Sequence, residues 1–169
     1  MKKSKSEKAM TVFGVGPKLD FWTFLYTFGI VGLCVKFPSA FHMAFLPSLV
    51  RLFLGILLVL AGGTLYILSI KTIFKGFQAG KLMTNGVYGL CRHPIYASWG
   101  IAIVPGIALL CDNWAALSIS IFLCAVTKLL VAEEERWLEK KFGKKYKAYQ
   151  RQVPGLLPLG GLKTVHRDS

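Results

Sequence analysis

Two short stretches of the chain contain most of the side chains that could carry out chemistry. In residues 81–96, Arg92 and His93 offer several hydrogen-bond donors directly before Pro94. Proline suits the first turn of a helix, and the start of a helix is electropositive, so this position favours binding of a carboxylate. In the second stretch, Glu134 and Glu135 could bind an ammonium group or offset another positive charge. Together the two stretches could hold a zwitterion of the amino-acid type.

The same residue types also allow explanations without chemistry. An Arg-His pair at a membrane boundary is often only a positive anchor. The acidic run at residues 133–135 could be a solvated helical turn that pairs with Arg136 and Lys140. Gly86 follows Asn85, and Asn-Gly is a common turn pair. Residue types alone therefore leave the function open, and it depends on where the fold puts these side chains.

The elements that must position these residues are predicted to be membrane helices. Hydrophobic residues make up 54% of the 169-residue chain and charged residues only 17%, which is too little charge to cover a soluble domain of this size. A segment inside lipid must satisfy its own backbone hydrogen bonds, so helices are expected. The predicted fold class is an all-α integral membrane protein with about four transmembrane helices. The apolar stretches are residues 21–37, 49–70, 95–111 and 114–131.

The positive charges predict the orientation of these spans. The chain has 21 lysine and arginine residues and a net charge of +13. They concentrate before the first span, between the second and third spans, and from residue 128 onward, whereas only Lys36 and Arg51 fall on the other side. By the positive-inside rule both termini are cytosolic. A plasma or inner membrane is the expected location, and an endoplasmic reticulum membrane would fit the same topology. The distribution favours membrane lipids as partners over nucleic acid, and it leaves the oligomeric state open.

The connection between the third and fourth spans brings the two chemical stretches together. Only Asp112 and Asn113 separate these spans, so they must be antiparallel neighbours with their cytosolic ends close in space. Beyond the fourth span, the chain is predicted to continue as a cytosolic or interfacial helix whose apolar side meets the headgroup layer. Pro154 and Pro158 are expected to end this helical region.

Two local features are expected inside the spans. Pro105 lies in the middle of the third apolar stretch and should kink that helix. Gly62 and Gly63 in the second stretch should let a neighbouring helix approach closely.

Two sequence motifs resemble those of one membrane enzyme superfamily. Residues 82–96, L-M-T-N-G-V-Y-G-L-C-R-H-P-I-Y, closely resemble the signature of the isoprenylcysteine carboxyl methyltransferase and phospholipid methyltransferase superfamily. The second motif begins at Glu134 and Glu135 and continues to Val153 and Pro154. Two motifs in order, joined by a helical hairpin, are far more specific than a lone R-H-P. The positions that also match between the two ends of this motif, and just after it, are Leu138, Phe142, Gly143, Tyr146, Tyr149 and Pro158.

The resemblance implies an S-adenosylmethionine-dependent methyltransferase with no metal ion. It implies a single domain over residues 1–169, with a basic cytosolic arm at residues 1–20 and the cofactor-binding and catalytic half at residues 81–158. The cofactor-binding residues that it implies are Gly86, Tyr88, His93, Pro94, Tyr96 and Glu134. The catalytic residues that it implies are Arg92, Glu134 and Glu135.

The acceptor implied by the resemblance is lipophilic and enters from the membrane, as an isoprenylcysteine carboxylate or a phospholipid amine would. A carboxylate needs no base, and Arg92 could orient it. A protonated amine must first lose a proton, and Glu134 or Glu135 is then the candidate base. Two alternatives stay open, a non-catalytic membrane module of the same fold and a nicotinamide-dependent reductase of the sterol type. Cofactor binding would discriminate among the three.

Overall fold

The computed structural model describes residues 16–156, and this part of the chain contains helices and no strand. The first fifteen residues of the predicted basic arm, and Pro158 in the second motif, lie outside the described residues. A single pair of bridging residues, His42 and Asn113, links the two loops at one end of the bundle. The helices are α1 (Gly16–Lys36), a 3-10 helix (Pro38–Phe41), α2 (Ser48–Gln78), α3 (Val87–Leu90), α4 (Pro94–Ala97), a π-helix (Ser98–Ile103), α5 (Val104–Leu110), α6 (Leu117–Phe142) and α7 (Lys144–Gln152).

Two described helices, α1 and α2, are long and apolar enough to cross a bilayer. The apolar window of α1 covers 18 residues and that of α2 covers 29, about 43 Å at 1.5 Å per residue, against a hydrocarbon core of about 30 Å. Only 6% and 17% of these windows are buried inside the protein. A core helix of a soluble protein would bury such a surface, so the outward-facing apolar side chains indicate an integral membrane protein. The count of four spans stays a prediction.

The third apolar stretch forms one continuous helical rod from Pro94 to Leu110, and it packs against α2 through glycines. A Cβ atom on Gly62 would come within 2.7 Å of Ile103, and one on Gly106 within 2.8 Å of Val59. The close approach predicted at Gly62 is therefore present, whereas Gly63 faces open space. This helix also contains a π-helix at Ser98–Ile103, which was not predicted, and the kink at Pro105 stays a prediction.

The last apolar stretch continues well beyond the predicted span. After the turn at 111–116, in which Asn113 Oδ1 accepts a hydrogen bond from the Ala116 amide at 3.1 Å, α6 runs without a break to Phe142. This single helix carries the acidic run of the second motif. The chemical stretches on either side of the α5–α6 turn therefore come together at the same end of the bundle.

The direction of α7 differs from the prediction. Gly143 has φ +54°, a conformation that glycine adopts readily, and it ends α6 and starts α7. α7 then folds back, and its residues Tyr146 and Tyr149 are buried together with Val153. The apolar side was predicted to face the headgroup layer, and this prediction is wrong. It packs on Leu82, Leu138 and Phe142, because the turn at Gly143 gives this face a protein surface to cover.

Candidate active site

A cavity lies where the end of α2, residues 80–96, the last turns of α6 and α7 meet. The space open to water-sized molecules is about 120 Å³, whereas one water needs roughly 10–15 Å³. The cavity can therefore admit a larger ligand than solvent alone. Its wall consists of Ile73, Gly76, Gly80, Lys81, Leu82, Met83, Tyr88, Arg92, His93, Ile95, Tyr96, Glu134, Trp137, Leu138, Lys141, Phe142, Tyr146 and Tyr149.

The structure brings most of the predicted site residues to this cavity and leaves three outside its wall. The predicted residues on the wall come from both motifs. Gly86 has φ +63°, precedes α3 and accepts a hydrogen bond from the Gly89 amide at 2.9 Å, so it shapes the loop. Pro94 is buried at the start of α4, and Glu135 lies behind the wall. The predicted site residues on the wall are Tyr88, Arg92, His93, Tyr96 and Glu134.

Glu135 connects three parts of the site. Its Oε1 lies 2.9 Å from Arg92 Nη2 and 3.1 Å from His93 Nε2, and its Oε2 accepts a hydrogen bond from Gln150 Nε2 at 2.9 Å. Burial by itself would raise the pKa of Glu135. The hydrogen bond from His93 and the charge of Arg92 outweigh that effect, so the pKa of this carboxyl is lowered. Glu135 is therefore an ionised anchor for Arg92, His93 and α7.

Glu134 has different surroundings from Glu135 although the two residues are adjacent on α6. Its Oε2 accepts a hydrogen bond from the Tyr96 hydroxyl at 3.2 Å, and its side chain lines the cavity. Successive residues of a helix point about 100° apart, so one carboxylate faces the cavity while the other faces the Arg92 side. Burial, and then the charge of Glu134, raise the pKa of Tyr88 above its ordinary range. Tyr88 is therefore a neutral phenol in this wall.

The segment that follows α6 is built into the same site. The Tyr149 hydroxyl donates to the Tyr88 carbonyl at 2.6 Å, which fixes α7 on α3. Beyond α7, the Pro154 carbonyl accepts from the Arg92 amide at 2.9 Å and the Gly155 carbonyl accepts from the His93 amide at 3.1 Å. The chain from α7 to Gly155 therefore covers the Arg-His pair from outside.

Two buried polar atoms at the cavity have no hydrogen-bond partner among the described residues. They are the Tyr146 hydroxyl and Arg92 Nε. Tyr146 is only 1% exposed, and burial raises the pKa of its phenol, so it is a neutral donor. A buried donor without a partner costs about 1–3 kcal/mol. Both residues line the cavity, so these unsatisfied donors lie close to the space that a ligand would occupy.

The phospholipid methyltransferase family model matches residues 50–145, which is more than half of the chain. The chain belongs to the phospholipid methyltransferase family. The matched residues, 50–145, include the whole first motif, the cavity-facing end of α6 and the helices that carry them. The remaining part of the second motif, from Tyr146 to Gly155, follows directly and supplies the α7 side of the cavity.

The curated relatives of this phospholipid methyltransferase family member carry a more specific name. A probable protein-S-isoprenylcysteine O-methyltransferase of Oryza sativa subsp. indica is 28% identical over 116 residues, 63% of this chain and 61% of that protein. The protein-S-isoprenylcysteine O-methyltransferase B of Arabidopsis thaliana is 32% identical over 79 residues, 47% of this chain and 40% of that protein. The Rattus norvegicus protein-S-isoprenylcysteine O-methyltransferase is 30% identical over 114 residues, which are 62% of this chain and 40% of that protein. The chain thus spans less than two thirds of the length of each of these relatives. No solved structure gives a significant match.

Several cavity residues of this family member were not assigned to the site from the sequence. Lys81 and Lys141 add positive charge to the wall, and Lys141 Nζ lies 4.7 Å from the centre of the Trp137 ring. Tyr146 and Tyr149 had a visible i, i+3 spacing, which indicated an apolar side of the helix. That spacing could not show what the face covers, because this depends on the turn at Gly143.

The cavity wall carries more positive than negative groups. Lys81, Arg92 and Lys141 are cations, His93 is a further donor, and Glu134 is the acidic side chain on the wall. Glu135 offsets Arg92 from behind. The net positive charge that remains on the wall favours a ligand that includes a carboxylate or another anionic group.

Proposed function

We propose that this chain catalyses S-adenosylmethionine-dependent methyl transfer to a lipophilic acceptor at the membrane surface. The observation that carries the proposal is the meeting of both motifs in one cavity, with Arg92, His93, Tyr96 and Glu134 on its wall. The names of the relatives support a methyltransferase activity. This assigns residues 81–158 as the cofactor-binding and catalytic half of a single domain that covers residues 1–169.

The residues of the cavity fit such a cofactor. Its carboxylate would suit the two unpartnered donors, the Tyr146 hydroxyl and Arg92 Nε, and its ammonium group would suit Glu134. Aromatic side chains, including Tyr88 and Trp137, offer flat apolar surface for a purine ring. When bound, the cofactor supplies a methyl group on a positively charged sulfur, and the methyl transfers by in-line displacement.

The chain's own residues then contribute mainly position and charge. His93, Tyr96 and Glu134 would contact the cofactor from the wall. Glu135 would act through Arg92 and His93, which makes it a positioning residue in place of the catalytic role predicted for it. Gly86 and Pro94 would contribute through the shape of the backbone around α3 and α4.

The acceptor that fits best is a carboxylate on a lipophilic molecule, such as an isoprenylcysteine. The surplus of positive groups on the wall favours an anionic acceptor, and Arg92 would orient it without any need for a base. A phospholipid amine is the second candidate, which the family description favours. In that case Glu134, the carboxylate on the wall, would remove the proton that a protonated amine must lose.

The proposed setting is a plasma or inner membrane, with four spans and the cavity on the cytosolic side. The four spans would be α1, α2, the rod from α4 to α5, and the first part of α6. α1 and α2 meet the length and composition of membrane helices. The α4–α5 rod is a shorter apolar helix of 17 residues, close to the lower limit for crossing.

Titration of the detergent-purified protein with S-adenosylmethionine and S-adenosylhomocysteine tests the cofactor. A ligand that binds the folded state at about 100 times its Kd should add about 2.7 kcal/mol of stability, which a thermal-unfolding assay detects. His93→Ala and Glu134→Ala should lose this shift and stay folded, whereas Lys36→Gln, at the far end of α1, should keep it. Binding of NADPH instead would favour a reductase, and a folded protein that binds neither cofactor would favour a non-catalytic module.

A transfer assay with labelled methyl donor tests the acceptor. Farnesylcysteine carboxylate analogues and phosphatidylethanolamine are offered separately in the same vesicles. A carboxylate acceptor gives a methyl ester, which base hydrolyses to release labelled methanol, whereas an amine acceptor gives an N-methyl product that resists base. The proposal expects the base-labile product, and a base-stable product would assign the amine.

A further inference from the structure

The outer face of α7 carries positive charge only. Lys144, Lys145, Lys147 and Arg151 are all exposed, and the sequence of α7 from Lys144 to Gln152 contains no acidic residue. Lys147 Nζ lies 2.8 Å from Glu139 Oε1, so one of the four cations has a carboxylate partner on α6. An ordinary solvated helix face mixes both signs of charge. The basic face of α7, defined by these four residues, therefore suits an anionic surface.

α7 lies close to the end of the apolar window of α2. Its buried face packs on Leu82, and the apolar window of α2 ends at Gly76, only six residues earlier. Side chains of a helix in this position lie within reach of lipid headgroups, whose field extends about one Debye length, roughly 8–10 Å. Of the nearby acidic groups, Glu139 pairs with Lys147, Glu134 faces the cavity and Glu135 holds Arg92.

The inner face of the same short helix forms part of the cavity. Tyr146 and Tyr149 line it, and the carbonyl of Gln150 accepts a hydrogen bond from Arg92 Nη1 at 3.1 Å. The Gln150 side chain donates to Glu135 at 2.9 Å. Nine residues are too few for a helix that is stable by itself, so α7 depends on the contacts that hold it in place.

We infer that the basic face of α7 binds anionic phospholipid headgroups of the membrane that holds α2, and that this contact keeps the cavity wall closed. The partner is the lipid bilayer itself, through phosphate and other anionic headgroups. Zwitterionic lipid would leave α7 held by the protein contacts alone. The link to cofactor binding rests on the proposed function, but the contact with lipid does not.

Hydrogen exchange of the α7 backbone amides tests the lipid contact without any cofactor. The full chain is placed in nanodiscs of phosphatidylcholine, with or without phosphatidylglycerol. Each cation near an anionic leaflet contributes roughly a fivefold change in an equilibrium constant, so protection of α7 should rise by about tenfold or more with phosphatidylglycerol. Equal protection in the two nanodiscs would overturn the inference.

Two variants distinguish headgroup binding from a merely structural role of these side chains. A Lys144→Gln, Lys145→Gln and Arg151→Gln variant should keep the protection seen in phosphatidylcholine and lose the gain from phosphatidylglycerol. The matched variant Lys144→Arg, Lys145→Arg and Arg151→Lys keeps the charge and should keep the gain. Lys147 stays unchanged because it pairs with Glu139. A loss of protection in both lipids, or in both variants, would contradict headgroup binding.

S-adenosylhomocysteine binding in the same nanodiscs then tests closure of the wall. Affinity should rise with phosphatidylglycerol in the parent and in the charge-keeping variant, and stay flat in the glutamine variant. Affinity independent of lipid, together with lipid-dependent exchange, would show that headgroups bind α7 without affecting the cavity. A gain in exchange protection with no ligand binding in any lipid would instead contradict the proposed function and leave the lipid contact intact.

Discussion

The two ends of the helical bundle contain the same three kinds of polar side chain in different surroundings. At one end, Asp112 holds Arg51 at 2.6 Å and His42 at 2.5 Å. At the other end, Glu135 holds Arg92 at 2.9 Å and His93 at 3.1 Å. Each group joins an arginine, a carboxylate and a histidine, and the carboxylate comes from a different segment than the other two. We refer to the first as the Asp112 cluster and to the second as the Glu135 cluster.

The Asp112 cluster holds two loops together. Arg51 also donates to the Met43 carbonyl at 3.2 Å, and Asp112 Oδ1 accepts from the Met43 amide at 3.0 Å, which joins the α1–α2 connection to the α5–α6 turn. His42, at 55% side-chain exposure, faces solvent. None of these three side chains lines the cavity.

The Glu135 cluster, in contrast, lies directly behind a cavity and includes a donor without a hydrogen-bond partner among the described residues. His93 is 3% exposed at its side chain, and Arg92 keeps one nitrogen, Nε, without a partner among residues 16–156. The comparison teaches that an Arg, carboxylate and His set does not by itself indicate a site. Whether such a set forms a site depends on the cavity beside it and on donors that have no partner. Variants of the two clusters and of α7 test this difference, in order of decreasing expected effect.

Glu135→Gln should reduce both stability and cofactor binding. Arg92 is only 13% exposed at its side chain, so removing its carboxylate leaves a buried charge without compensation, a loss of about 3 kcal/mol. Affinity for S-adenosylhomocysteine should fall as well, because Arg92 and His93 lose their anchor. Thermal unfolding and ligand titration measure the two effects.

Glu139→Gln, which removes an exposed pair with Lys147, is the control and should change stability by less than about 0.5 kcal/mol. A variant of Glu135 that keeps full affinity would remove its positioning role.

Asp112→Asn should reduce stability and leave ligand affinity unchanged. Arg51 would lose its carboxylate, and the expected loss is about 2 kcal/mol, smaller than at Glu135 because Asp112 is more exposed. Since sites that share no partners act independently, the affinity for S-adenosylhomocysteine should stay within roughly twofold. The same unfolding and titration assays apply. A large loss of affinity here would show that the two clusters are coupled through the bundle.

Tyr146→Phe and Tyr149→Phe should have opposite effects although both residues are in α7. The Tyr149 hydroxyl bonds the Tyr88 carbonyl, so its removal should destabilise the fold by about 1 kcal/mol. The Tyr146 hydroxyl has no partner among the described residues, so its removal should keep or slightly raise stability. Because it is proposed to bind the cofactor, S-adenosylhomocysteine affinity should nevertheless fall, by about fivefold. An unchanged affinity in Tyr146→Phe would exclude this hydroxyl from the ligand site.

Acidification should weaken the fold through Glu135. Its pKa is lowered in the folded protein, so its stabilising contribution is complete above the ordinary glutamate value of about 4.3 and is lost as the pH falls through the folded value. Unfolding of the parent and of Glu135→Gln is compared from neutral pH down to about pH 3. The difference between the two proteins should shrink at the acidic end. Parallel curves over the whole range would contradict an ionised, salt-bridged Glu135.

Much of the fold could be predicted because it follows from local sequence. The apolar stretches are helical, since a lipid-exposed backbone has no other way to pair its polar groups. The short α5–α6 turn, which ends one helix and starts the next within residues 111–116, brings Arg92, His93 and the acidic run to one end of the bundle. Helix ends shifted by several residues, and α6 reached Phe142 because its residues after 131 also favour a helix.

The parts of the site that sequence reasoning missed depend on contacts between distant segments. Glu134 and Glu135 are adjacent and chemically alike, and only the packing of α6 decides that one faces the cavity and the other faces Arg92. The role of Tyr146 depends on how α7 lies on α3 and α6. The local sequence does not specify how α7 is oriented on α3 and α6.

The sequence by itself determined the helical class, the apolar faces, the family and the segments that supply the site, because periodic apolar character and motif spacing are local properties. The tertiary structure decided which side chains share the cavity, which donors stay unsatisfied, and which of two similar charged clusters is available to a ligand. The physical reason is the turn at Gly143, whose positive φ folds α7 back over the Arg-His pair. The closeness that this turn creates between residues 92 and 154 is a property of the folded chain alone.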